Sequence, residues 1–312
     1  MRMRHLLLSF LLAPGGVACA QSYPDRPIRV LVPFAAGSGT DILARIVTEE
    51  LRTAMGANFV IDNRAGASGQ IAAELAARAS PDGYTLFLST NTPHSANPFL
   101  FKKLNYDPVK DFAAVSRMIY YVFILVANPN SGIKTVPDLI AYVKANPGKI
   151  SYAFGNSTGQ VNGACFVSAA KLDALPVPYK STPPAMTDLI AGQVHYMFVD
   201  AASSQGHVKS GRLRAIAVMS DKRSDVLPEL PAVGETVPGF DTVPWAGMFV
   251  PAGTPNTIIT RLNREIVKAI NQRLAETGLQ PAPSTPVELD QFVKQQRAAW
   301  GKKIKDAGIQ PE

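Results

Sequence analysis

Nine residues, Pro33-Phe34-Ala35-Ala36-Gly37-Ser38-Gly39-Thr40-Asp41, lie between an apolar run, Ile28 to Val32, and a helical pattern, Ile42 to Leu51. A strand that ends in a glycine-rich turn and opens a helix leaves several backbone N–H groups unpaired, at the end of the helix dipole that favours negative charge. The chemistry on offer is the holding of an anion by main-chain groups. Phosphate fits poorly: Gly37-Ser38-Gly39-Thr40-Asp41-Ile42 lacks the third glycine of a dinucleotide fingerprint and the lysine of a P-loop, and Asp41 would repel it. Thr40 or Asp41 also suits the helix cap, a role compatible with ligand binding.

Four more turns share this character: Gly66 to Gln70, Thr90 to Asn97, Gly155 to Gln160 and Lys180 to Pro184. They are rich in Gly, Ser, Thr and Asn and almost bare of basic side chains. Ligands of open parallel sheets sit beyond the carboxyl ends of the strands, so these turns are expected to face one another across a cleft. Thr90, Asn91 and His94 are the candidate contacts in the second of them.

Catalytic constellations are poor. His5 belongs to the leader, His195 alternates along a strand, and His207 lies in a polar turn, which leaves His94 as the one histidine in a candidate ligand loop. No H-x-x-H, C-x-x-C, G-x-S-x-G or supported S-x-x-K motif appears, so metal hydrolysis and serine acylation lack their parts. Neither a metal nor a cofactor is called for. Asp41 and Asp200 could both rim a cleft, so an enzyme using Asp41, His94 and Asp200 on an anionic substrate is the rival reading. The plainer role for Asp200 is a turn residue after a strand.

The elements that must position these turns alternate. Strands are predicted at Ile28 to Val32, Phe59 to Ile61 and Tyr84 to Leu88, with helices at Ile42 to Leu51 and Gly69 to Ala79. Ile119 to Ala127 reads as one long β-prone run broken by Asn128-Pro129-Asn130-Ser131-Gly132, where the first hinge is expected. A second set follows: helices Val136 to Ala145, Gln160 to Lys171 and Pro184 to Gly192, and strands Ile150 to Ala153, Pro176 to Tyr179, Tyr196 to Val199 and Arg214 to Met219. The chain then crosses back through a Pro- and Gly-rich loop to a strand-like run, Trp245 to Pro251, and ends in helices Thr257 to Glu276 and Leu289 to Asp306. The rhythm predicts an α/β protein of parallel βαβ units in two lobes around a central cleft, joined by two crossover segments. The first lobe takes residues 21–125 and 246–312, the second 126–245.

Arg2 and Arg4, the apolar run Leu6 to Ala13 and Ala18-Cys19-Ala20 make a secretory signal peptide, residues 1–20, with cleavage after Ala20. A lipidated Cys19 is the minority alternative, because Gly16 stands where a lipobox has an aliphatic residue. Either way the run is too short for a spanning anchor, which needs about 20 apolar residues. The mature chain then holds a single cysteine, Cys165, whose neighbours Ala164 and Phe166 suit a small buried side chain. No intramolecular disulfide is possible, and stability must come from core burial. The formal charge of +7 becomes +5 without Arg2 and Arg4. The basic residues are scattered and not interleaved with aromatics, which argues against nucleic-acid binding, while a mild positive bias helps steer small anions. Nothing suggests more than a monomer.

The ordered motifs Tyr23-Pro24-Asp25-Arg26-Pro27-Ile28, Val32-Pro33-Phe34 with the glycine turn, Asn63-Arg64-Ala65-Gly66, Pro81-Asp82-Gly83-Tyr84-Thr85, Tyr106-Asp107-Pro108-Val109-Lys110-Asp111-Phe112, Val177-Pro178-Tyr179-Lys180, Gly211-Arg212-Leu213-Arg214-Ala215 and Pro251-Ala252-Gly253-Thr254-Pro255 run through the mature chain. In these it resembles the Bug-type periplasmic substrate-binding proteins of tripartite tricarboxylate transporters. The resemblance implies a type II periplasmic-binding fold that closes on a small carboxylate and delivers it to a membrane permease. A receptor that presents its closed form to a membrane sensor kinase is the alternative. It also implies that Phe34, Ala35, Gly37, Ser38, Gly39, Thr40 and Asp41 supply the contacts to one carboxylate. Ser157, Thr158, Gly159 and Gln160 would hold the far end of the ligand, with Lys180, Ser181 and Thr182 lining the same mouth and Asp200 near it. The chain departs from the family pattern at Ser38, Gln160, Ser181 and Val199, and Cys165 to Leu175 is a few positions short.

Overall fold

The structure is a computed structural model that describes residues 23–240, 242–274 and 279–312. The expected signal peptide, its cleavage point and the far end of the helix expected to reach Glu276 lie outside the described residues.

In chain order the elements are β1 (Ile28–Val32), α1 (Gly39–Met55), β2 (Phe59–Asn63), α2 (Gln70–Ala77), β3 (Thr85–Thr90), α3 (Asn97–Leu100), β4 (Phe112–Tyr121), β5 (Phe123–Ala127), α4 (Val136–Ala145), β6 (Ile150–Phe154), α5 (Ser157–Ala169), β7 (Ala174–Pro178), α6 (Thr182–Ile190), β8 (Tyr196–Asp200), α7 (Ala201–Lys209), β9 (Arg214–Val218), β10 (Trp245–Pro251), α8 (Asn256–Arg273), β11 (Leu279–Pro281) and α9 (Pro286–Asp306). Two sheets result. One is six-stranded in the order β11-β4-β10-β3-β1-β2, and the other five-stranded in the order β7-β6-β8-β5-β9.

Within the sheets, β1 pairs in parallel with β2 and β3, and β6 pairs in parallel with β7 and β8. These are the βαβ units read from the alternating pattern. Beyond those units the pairing turns antiparallel at three strands: β10 against β3 and β4, β11 against β4, and β5 against β8 and β9. Of these, β10 and β5 are the strands on which the chain arrives from the other sheet, so neither is reached through a crossover helix. For the same reason the run from Ile119 to Ala127 is two strands rather than one. β4 ends at Tyr121 in the first sheet, and β5 starts at Phe123 in the second.

Because helices cover both sheet faces, central strands are buried throughout; β5, β8 and β10 have no exposed residue. The helices turn one apolar stripe inward, as α1 does with Leu43, Val47, Leu51 and Met55. Long C-terminal α9 starts at a capping box, Thr285 with Glu288, and sends Trp300 and Ile304 into a cluster with Leu100 and Val161 of α5. The last helix of the chain thereby ties the first sheet's layer to the second's. Cys165 is half-buried on α5 rather than fully enclosed.

Candidate functional site

Four helices begin in the gap between the two sheets, each with its cap supplied by the residue types that favour one. Ser38 caps α1, its hydroxyl accepting from the Asp41 amide, and Asn156 caps α5, its Oδ1 accepting from the Gly159 amide at 2.9 Å. Ser181 precedes α6, whose next residues are Thr182, Pro183 and Pro184, and Asp200 caps α7, accepting from the Ser203 amide at 2.8 Å. Main-chain amides at such first turns have no carbonyl one turn back to bond. Phe34, Ser38, Gly39 and Thr40 line the gap from one side, with Thr90, Asn91 and Thr92 after β3; Asn156, Thr158, Thr182 and Asp200 line it from the other, and Tyr121 and Phe123 flank the point where the chain changes sheets. No Lys, Arg or His is among these residues.

The gap is nearly shut. Its interior amounts to about 20 Å3, room for a single water. Direct hydrogen bonds span it: the Ala35 amide donates to Ser181 Oγ at 3.1 Å, Asn91 Nδ2 to Thr158 Oγ1 at 2.9 Å, and the hydroxyls of Thr92 and Ser157 meet at 2.7 Å. Thr40 Oγ1 lies 2.9 Å from the Tyr121 hydroxyl. Thr182 Oγ1, by contrast, is buried with no partner. Such an orphan is costly unless something else satisfies it.

Two glycines are required by close approach. A Cβ on Gly39 would sit 2.3 Å from Asp200 Oδ1 across the gap, and one on Gly155 would sit 2.1 Å from the Ser181 carbonyl carbon and 2.3 Å from the Thr182 nitrogen. Any side chain at Gly155 would push the start of α6 away from α5.

Asp41 was expected at the ligand but turns back into its own turn. Its carboxylate accepts from the Gly37 amide at 2.9 Å and from Arg45 Nε at 2.9 Å and Nη2 at 3.1 Å. Burial pushes its pKa up, but these bonds and one from Asn63 outweigh that and hold it below the ordinary value. It braces the glycine turn, whose Gly37 has a φ of +81°. Asp200 is the opposite case: burial raises its pKa, only partly offset by the Ser203 amide and hydroxyl.

His94 does not face the gap. It is fully buried, stacked on Phe249 at 4.0 Å and flanked by Phe112 and Trp245, with Nδ1 2.7 Å from Ser89 Oγ. A π-helical turn, Thr92–Ala96, rotates it away from Thr92 and into the core. Gln160 and Lys180 also stand off the lining, Lys180 on the surface, because the first turn of α5 and the Ser181 bond carry their neighbours inward instead. Ser157 and Gly159 are buried at the head of α5, Ser157 in the cross-gap bond to Thr92. Tyr121 and Phe123 were missed by sequence reasoning. Their signal was the length of the apolar run, nine residues where a strand rarely needs more than about eight.

No cluster of three metal-ligating side chains occurs among the described residues, and none of the described helices is long and apolar enough to cross a membrane.

A family model described as tripartite tricarboxylate transporter family receptor matches residues 43–309. Protein BugT of Bordetella pertussis (strain Tohama I) is 32% identical over 322 residues, 99% of this chain and 99% of that protein. Among solved structures, R. palustris Rpa4515 with adipate superposes with a TM-score of 0.90 at 33% identity, covering 93% of this chain and 100% of the other. MatC from Rhodopseudomonas palustris with bound malate gives 0.83 at 31% identity, covering 90% of this chain and 100% of the other. The fold is that of the type II periplasmic binding proteins, two α/β lobes around a cleft. The proteins it resembles are solute-binding receptors, not enzymes.

Proposed function

The chain belongs to the tripartite tricarboxylate transporter receptor family, and from that premise we propose that it captures a small carboxylate in the gap between its lobes and hands it to the membrane permease of such a transporter. One observation carries the reading: helix starts from both sheets converge on a single gap that has hydroxyls and amides but no basic side chain. Partial positive charge from the first turns of α1 and α5 suits a carboxylate, and the cross-gap hydroxyls suit its oxygens. The relatives solved with adipate and malate support an organic acid. In this reading residues 1–20 export the chain to the periplasm, and Phe34, Ala35, Ser38, Gly39, Thr40, Thr90, Asn91, Ser157, Thr158, Thr182 and Asp200 make up the site. The two lobes correspond to the two sheets, the chain passing between them at Val122 and again between β9 and β10.

Adipate or malate exceeds a space of about 20 Å3, so binding requires the lobes to part and the direct bonds between them to be exchanged for bonds to ligand. Shifting that equilibrium needs differential affinity for one arrangement. With neutral donors only, a micromolar dissociation constant is expected, about −8 kcal/mol. The test is a melting-temperature and intrinsic-fluorescence titration of refolded, ligand-free protein with mono-, di- and tricarboxylates and amino acids. At least one anion should shift both signals. If a folded, ligand-free preparation responds to none of them, the receptor reading is wrong.

A further inference from the structure

Asp200 is an acid placed where the site should hold another acid. It is 5% exposed, it lines the gap, and its carboxylate abuts Gly39 at the first turn of α1, the group best suited to an incoming carboxylate. Its hydrogen bonds all come from its own turn: the Ser203 amide to Oδ1 and the Ser203 hydroxyl to Oδ2, each at 2.8 Å. A carboxylate has about four acceptor sites, so two remain for something else. No lining side chain carries a positive charge, and Tyr121 is the one other titratable group on the lining. Thr182 Oγ1, buried and without a partner, opens on the same space.

Resting on the carboxylate-receptor reading, we propose that Asp200 is the specificity-determining residue and that it recognises an ammonium group, so that the ligand is an amino acid rather than a simple dicarboxylate. A ligand carboxylate seated on the amides of Gly39 and Thr40 is held against Asp200. Two like charges at that separation in a buried site oppose each other strongly. An α-amino acid resolves the conflict because its ammonium and carboxylate share one carbon: the carboxylate takes the helix start, the ammonium takes Asp200. Thr182 Oγ1 then accepts from, or donates to, the polar groups of the same ligand. A diacid offers Asp200 only repulsion.

Matched pairs that differ by the ammonium alone test this: L-aspartate against succinate, L-glutamate against glutarate and L-alanine against propionate, titrated calorimetrically into the mature, ligand-free protein at neutral pH. The amino acid of at least one pair should bind about tenfold or more tighter than its deaminated partner. In Asp200→Asn, which keeps the cap on α7, that preference should vanish through loss of amino-acid affinity, with the plain acid unchanged or tighter. The same variant, relieved of a buried charge, should melt higher than the wild type without ligand. The proposal is overturned if plain acids bind the wild type as well as amino acids do, or if Asp200→Asn leaves the ratio intact; in either case the carboxylate-receptor reading survives. If neither series binds folded protein while another acid does, the amino-acid assignment falls alone; if no mono-, di- or tricarboxylate and no amino acid binds, both fall.

Discussion

His94 shows how a residue's chemistry is set by its surroundings rather than by its type. Full burial lowers its pKa from 6.5 to about 3, helped by the nearby Arg297 charge. In the unfolded chain it takes up a proton as pH falls through 6.5; in the folded chain it stays neutral until about 3. Between those values the unfolded state binds more protons, so stability is lost as pH falls. His94→Gln should therefore flatten the decline in stability between pH 7 and pH 4, by more than about 1 kcal/mol relative to wild type, in denaturant melts at each pH. His195 and His207 are shifted the same way by burial and stay in both proteins, so only the difference is informative. An unchanged slope would mean that His94 titrates normally. The sequence could not reveal this burial: Thr92-Pro93-His94-Ser95 looks like a polar loop, and the ring that covers it, Phe249, comes from a strand far along the chain. The glycine turn at Gly37 and Gly39 was legible because its signal is local: a strand, a flexible turn and a cap lie side by side.

Among elements, the helix starts were largely visible in the sequence and the strand partners were not. Helical spacing puts α4, α5, α6 and α9 within a few residues of their expected places, and in the structure Thr135, Asn156 and Thr285 supply caps while Pro183 with Pro184 suits a first turn. The split of the 119–127 run between two sheets carries no turn residue at all, since Val122 is as apolar as its neighbours. Nor does composition mark β5 and β10 as antiparallel. Gly155 is where two elements depend on one missing atom, because the Ser181–Thr182 peptide occupies the space a Cβ would need. Gly155→Ala should cost about 1–3 kcal/mol of stability by overpacking and weaken carboxylate binding about tenfold or more, through displacement of Thr182. Differential scanning calorimetry and titration calorimetry read the two effects. A variant that binds normally would show that the start of α6 does not contribute.

For the whole molecule, two lobes were expected and two sheets are found, but the described state is shut, which no sequence pattern records. Closure is held by direct bonds and by the fit of Gly39 against Asp200, whose carboxylate is pinned by Ser203 and cannot swing aside freely. Gly39→Ala should keep the lobes apart while leaving each intact, since Gly39 needs no unusual backbone and alanine favours the helix. The expected result is a larger radius of gyration by small-angle X-ray scattering, unchanged secondary structure, and ligand affinity reduced about tenfold or more. Wild-type scattering together with wild-type affinity would sink that account.

The strand order also sets when each part can exist. All five strands of the second sheet come from one stretch, Phe123 to Val218, whereas the first sheet has β10, residues 245–251, wedged between β3 and β4. A chain made from its amino end can thus complete its inner half early. The half that begins the protein must wait, with β3 and β4 exposed along their edges, for a segment made more than a hundred residues later. Truncation between Val218 and Trp245 should therefore leave the middle portion folded and the leading portion adhesive, the part a chaperone would have to guard.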